Sequence, residues 1–82
     1  MRLASINDVD CPVKTLRESR GLSQTGLGGT SQSFVWRVEN GRLRASMGCL
    51  IRWAPLLGVT AGELAHAYLD WLDDIEAAQE EE

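Results

Sequence analysis

The sequence predicts an all-α fold, a compact set of five helices with an extended C-terminal helix. Three observations lead there. No run alternates apolar and polar residues for long enough to make a strand. Apolar residues recur instead at helical spacing within separate segments, as Met47, Leu50, Ile51, Ala54 and Leu57 do. Ser, Thr, Asn and Gly stand at the borders of those segments, where helix caps and stops belong.

Residues 1–11 lack a clear period and read as an N-terminal arm. The first helix is expected from Asp10 or Cys11, with Pro12 in its first turn, where a missing N–H is harmless. Val13, Leu16 and Leu22 lie on or near its inner side, and Gly21 is placed to stop it. Ser23 caps a short second helix carrying Gln24 and Leu27, which the glycines of GLGGT, residues 26–30, end early. Ser31 is the natural cap of a third helix reaching about Val38 and closed by Asn40 and Gly41. Ser46 caps a fourth, SMGCLIRWAPLLG, which Pro55 is placed to kink. Thr60 and Glu63 form a T-x-x-E capping box that opens the fifth. In it Leu64, Tyr68, Trp71 and Ile75 recur at i, i+4, i+7 and i+11, with Leu72 beside them. That stripe outruns what a small five-helix core needs.

The 82 residues make one domain, and a 44% hydrophobic, 24% charged composition places it among globular proteins. Cys11 and Cys49, with no signal peptide, read as free thiols of a cytoplasmic protein. With His66 as the single histidine they are too few for a structural zinc site, so no metal and no cofactor is expected. The longest run without a charge covers residues 21–36 and is rich in Gly and Ser, so no membrane span is expected. No Walker loop, dinucleotide fingerprint or paired carboxylate motif is present, so no catalytic residue is assigned and the chain is not read as an enzyme.

The net charge of −4 is unevenly placed. All eight basic residues precede Val59, with four acids among them, which makes residues 1–59 net +4. Residues 60–82 hold the other eight acids and no Lys or Arg. A basic working surface with an acidic appendage is one reading; a solvated helix face is the other.

The third helix carries the most informative pattern, SQSFVWRVENG at residues 31–41. Val35 and Val38 can face a core, while Gln32, Ser33, Trp36 and Arg37 form a face of hydrogen-bond donors plus one indole. Together LRESRGLSQ at 16–24, VENG at 38–41 and LGVTAGEL at 57–64 resemble the lambda-repressor-like helix-turn-helix family, also called the XRE or Cro type. The resemblance covers roughly residues 12–66. It implies a helix-turn-helix DNA-binding domain over 12–66, followed by an acidic extension of the last helix, 67–82, expected to dimerise.

Carried over position by position, the family's roles give Gln32, Ser33 and Arg37 contacts to base edges in the major groove. Arg bonds bidentately to guanine O6 and N7, and Gln to adenine N6 and N7. Gln24 and Ser31, at the starts of the second and third helices, and Asn40, Arg42 and Arg44 after the third are given the DNA backbone. Arg17 and Glu39 match a structural ion pair of the family. Trp36 either packs on the DNA backbone and thymine methyls or covers the thin second helix as core. Leu64, Tyr68, Trp71, Leu72 and Ile75 are expected to pair two copies. One departure stands out: three residues are missing between Gln24 and the turn glycine, Gly29, close to one helical turn. The usual small residue of the second helix aligns with Gly28.

The resemblance therefore implies a repressor that binds a palindromic operator on double-stranded DNA as a homodimer. The alternative is an antitoxin-like or adaptor module that offers the acidic helix to a protein partner.

Overall fold

The computed structural model describes the backbone of residues 10–28 and 30–80, and side chains as far as residue 77. Residues 1–9 of the expected arm, the turn glycine Gly29 and residues 81–82 lie outside the described residues, while Cys11, at the arm's end, is buried in the core. Within them stand four α-helices and no strand: α1 (Pro12–Ser19), α2 (Gln32–Glu39), α3 (Met47–Leu57) and α4 (Ala61–Glu80). Between α1 and α2 lies a single 3-10 turn, Gln24–Gly26.

That turn corrects the expectation of five helices. Ser23 makes no cap to the backbone; its Oγ lies 2.9 Å from Thr25 Oγ1. Gly26 and Gly28 raise the entropy lost on ordering, and a segment this short cannot recover the cost of helix nucleation. The segment is anchored in the core by the fully buried Leu27.

The other helices start as their caps dictate. Ser31 Oγ accepts from Phe34 N at 3.1 Å, and Ser46 Oγ from Cys49 N at 3.2 Å. Thr60 and Glu63 close the reciprocal box, Thr60 N donating to Glu63 Oε1 at 2.9 Å and Glu63 N to Thr60 Oγ1 at 3.0 Å. Pro55 sits inside α3, which continues through it to Leu57. Its missing N–H removes a donor from the carbonyl of Ile51, a residue that faces solvent.

Left-handed glycines shape the two turns that matter most. Gly58, φ +78°, ends α3, and Val59 N reaches back to Ala54 O at 3.1 Å. Gly41, φ +73°, ends the α2 segment, with Arg42 N bonded to Arg37 O at 2.8 Å. A Cβ there would stand 3.6 Å from Ile75 Cδ1 and 3.7 Å from Trp71 Cη2, so the end of α2 rests on α4.

The core gathers Val13 of α1, Leu27, Val35 and Val38 of α2, Leu50, Trp53 and Leu57 of α3, and Leu64, Tyr68 and Trp71 of α4. Phe34 meets Trp53 edge-on, with centroids 6.2 Å apart, and Tyr68 stacks on Trp71 at 6.0 Å. The buried phenol oxygen of Tyr68 accepts from Ala45 N at 2.9 Å.

This core corrects the reading of α4. Leu64, Tyr68 and Trp71, expected to pair two copies, are buried inside the chain itself, and Leu72 and Ile75 pack partly buried against them. A seven-residue apolar repeat marks a helix lying along a partner, and here that partner is the rest of the same chain. Helix α4 runs unbroken through residues 66 and 67.

Burial sets the alkaline limit of stability. It pushes the Cys11 thiol from 9.0 up to about 11, only partly offset by the backbone N–H groups of Val13 and Lys14, and it raises the Tyr68 phenol as well. Both groups favour their neutral forms when folded; the stability that Cys11 contributes is complete below pH 9 and is lost as pH rises toward 11, and the loss at Tyr68 begins only above the ordinary phenol value of 10.0. For Cys11 the loss is on the order of 2–3 kcal/mol. Calorimetric melting temperatures should be level up to about pH 8.5 and then fall, with a shallower fall for Cys11→Ala.

Candidate nucleic-acid interface

At 100° per residue, Gln32, Trp36, Asn40, Ser33 and Arg37 share one arc of α2 about 140° wide, and all five are exposed. Val35, Val38 and Glu39 occupy the opposite arc and are buried. Trp36 is 47% exposed, which removes its core reading: the indole lies in the open beside Arg37. The arc therefore holds an amide, a hydroxyl, an indole, a guanidinium and a second amide, with no carboxylate.

What fixes this arc in space is buried beneath it. Arg17 Nε donates to Glu39 Oε2 at 2.8 Å and its Nη2 to Glu39 Oε1 at 3.1 Å, a two-bond fork between α1 and α2. A third arginine donor, Nη1, reaches Leu22 O at 2.7 Å. The hydrogen bond and charge of Glu39 raise the already high pKa of Arg17 further, so the guanidinium stays charged.

A polar chain runs from this pair to the surface. Gln24 Nε2 donates to Glu39 Oε1 at 3.1 Å, and Gln24 Oε1 accepts from Gln32 Nε2 at 3.3 Å. Gln24, expected at a phosphate, is thus also a link between the ion pair and the first residue of α2, with one Nε2 hydrogen left to give. Ser31 places its hydroxyl on the α2 cap, and Asn40 Nδ2 donates to Trp36 O at 2.9 Å.

The loop arginines divide. Arg42 is exposed and makes no ion pair among the described residues. Arg44, also expected at a phosphate, forms an ion pair with Glu76 of α4, so an anion approaching the loop competes with a carboxylate of the chain itself. Glu76 was invisible as a functional residue in the sequence, because an acid 32 positions away carries no local signal. Thr30 was missed likewise: its Oγ1 accepts from Trp53 Nε1 at 3.1 Å and pins the turn before α2 to α3.

Two short elements, a connecting turn and an outward helix of donors match what the family comparison finds. A sequence model described as a helix-turn-helix domain matches residues 13–67. The chain belongs to the helix-turn-helix family. Within that helix-turn-helix domain the outward helix is α2, and the element before it is reduced to the 3-10 turn. The match agrees with the lambda-repressor-like resemblance of the motifs. No curated protein and no solved structure matches the chain. No helix among the described residues is long and apolar enough to cross a membrane.

The ion pair beneath the helix-turn-helix should be strongly asymmetric to mutation. Arg17→Met leaves Glu39 charged in a dry site and should lower stability by about 3–5 kcal/mol, whereas the double change Arg17→Met with Glu39→Leu should recover most of that loss. Urea denaturation followed by circular dichroism measures both.

Proposed function

We propose that the chain is a sequence-specific transcriptional regulator, a repressor that lays α2 in the major groove of double-stranded DNA and binds a palindromic operator as a homodimer. The observation that carries this reading is the exposed arc of α2, where Gln32, Ser33 and Arg37 stand together on a helix anchored from below by the ion pair between Arg17 and Glu39. Their chemistry is that of major-groove readout. The guanidinium of Arg37 matches guanine O6 and N7, the amide of Gln32 matches adenine N6 and N7, and Ser33 serves either.

Around the arc lie groups suited to the phosphodiester backbone. Gln24 and the exposed Arg42 offer donors on either side of α2, and Trp36 offers an indole N–H to a phosphate and a flat face to sugar or thymine methyl. Asn40 and the Ser31 end of the helix complete the rim. Two copies would set their α2 helices about 34 Å apart, one turn of DNA, on the two halves of a palindrome. Occupying an operator blocks polymerase without further machinery, which makes repression the simplest outcome of binding.

Competition binding on matched and scrambled duplexes tests the assignment. Arg37→Ala should cost about 1–3 kcal/mol on the preferred site and relax its sequence preference. Arg42→Ala should weaken every duplex alike and reduce the salt slope by about one. An equal loss on both duplexes for Arg37→Ala would remove it from base reading. Freeing Arg44 by Glu76→Gln should strengthen binding by up to about fivefold, the size of an exposed ion pair, and the gain should vanish at high salt. In a chain with Trp53→Phe and Trp71→Phe, the fluorescence of Trp36 should change on adding the operator.

A further inference from the structure

The inner face of α2 is made by Val35, Val38 and Glu39, which are buried, and by Phe34, half-buried with its ring against Trp53. At 100° per residue, the direction pointing straight away from that face runs between Ser33 and Asn40, and Trp36 and Arg37 lie about 50° to either side of it. The two central side chains leave that direction open. Ser33 is short, and Asn40 turns its amide back along the helix to donate to Trp36 O at 2.9 Å. The side chains that project furthest are therefore the indole of Trp36, 47% exposed, and the exposed guanidinium of Arg37.

With α2 in a major groove, Trp36 faces the groove floor as directly as Arg37 does, and the sugar–phosphate walls lie further round. The two residues differ in what they require there. Base edges in the major groove show mostly donors and acceptors, and the C5-methyl group of thymine is the apolar exception. An indole set against a polar edge strips water from it and returns a single N–H, which leaves groups unpaired at a cost. Set against a methyl group, it buries apolar surface on both partners. An indole at this position therefore discriminates between base pairs by the methyl group they carry.

We propose that Trp36 is a specificity-determining residue that reads a pyrimidine C5-methyl group on the groove floor, beside the base read by Arg37. The proposal rests on the DNA reading above and moves Trp36 from the backbone rim to the bases. Thymine carries that methyl group. A 5-methylcytosine carries the same group at the same place, so the contact also separates a methylated cytosine from an unmethylated one.

Binding of the full chain to duplexes from which single C5-methyl groups are removed, or to which they are added, tests the proposal. On the preferred duplex, selected from a random pool, each thymine is replaced in turn by deoxyuridine, which loses the methyl group and keeps the pairing. Each cytosine is likewise replaced by 5-methylcytosine. One replacement should stand out, as a loss of about fourfold for a deoxyuridine or a gain of about fourfold for a 5-methylcytosine, the size of one buried methyl group. The first outcome names thymine as the base and the second methylcytosine. Trp36→Ala, at an exposed position, should keep the helical spectrum and melting temperature and bind the methylated and methyl-free duplexes alike. Arg42→Ala should weaken both and keep their ratio. A methyl effect that persists in Trp36→Ala would overturn the proposal, as would an equal loss for Trp36→Ala on every duplex, the mark of a backbone contact. A chain that binds DNA and shows no methyl effect at any position refutes the proposal alone, whereas one that binds no duplex refutes the DNA reading along with it.

Discussion

The bond pair between Arg17 and Glu39 is the contact on which the placement of every surface group depends. Both residues lie in the last turns of their helices, α1 and α2, where the macrodipole is negative. A carboxylate at the end of α2 is unfavourable by itself. The guanidinium makes it tenable by facing both helix ends at once and by taking the carbonyl of Leu22 with its remaining edge. Taking such a pair out of water costs much of what its attraction returns, so its role is better understood as geometric. Apolar residues of equal volume would hold α1 and α2 together without specifying which atoms meet. Two directional bonds fix the rotation of α2 about its own axis, and with it the direction in which Gln32, Ser33 and Arg37 point.

The remaining helices act as a brace for this arrangement. Trp53 of α3 ties down the turn before α2 through Thr30 and meets Phe34 within the helix. Trp71 and Ile75 of α4 support the turn after α2 at Gly41. The eight residues of α2 are therefore held at the start by α3, at the end by α4 and from beneath by α1. A helix so short is unstable alone in water; its persistence comes from these three neighbours.

Much of this was legible in the sequence because the signals were local. Ser31, Ser46 and the box of Thr60 and Glu63 mark helix starts by chemistry confined to three residues, and the structure places those starts accordingly. The exposed arc of α2 followed from period alone. What was not legible depended on distant parts of the chain. Periodicity identified the apolar stripe of α4 but not whose core it enters, since Leu64 and Tyr68 would show the same spacing facing a second copy or their own. Trp36 was ambiguous because an indole suits a core and a surface alike, and only the positions of α1, α3 and α4 leave it outside. The second helix failed for a quantitative reason: a three-residue turn ending in Gly26 falls short of the length at which helical hydrogen bonds repay nucleation.

The division of α2 into two arcs has an evolutionary consequence. Val35, Val38 and Glu39, with the half-buried Phe34, attach it to the core, while Gln32, Ser33, Trp36, Arg37 and Asn40 stand exposed on the outer surface. Changes at these five outer positions leave the packed side intact and alter stability little, as is usual away from buried contacts. A lineage can therefore drift through successive outer faces on an unchanged frame, one substitution at a time, without passing through an unfolded ancestor. The buried face, in contrast, is heritable only as a set, because Glu39 is tolerable only while Arg17 accompanies it.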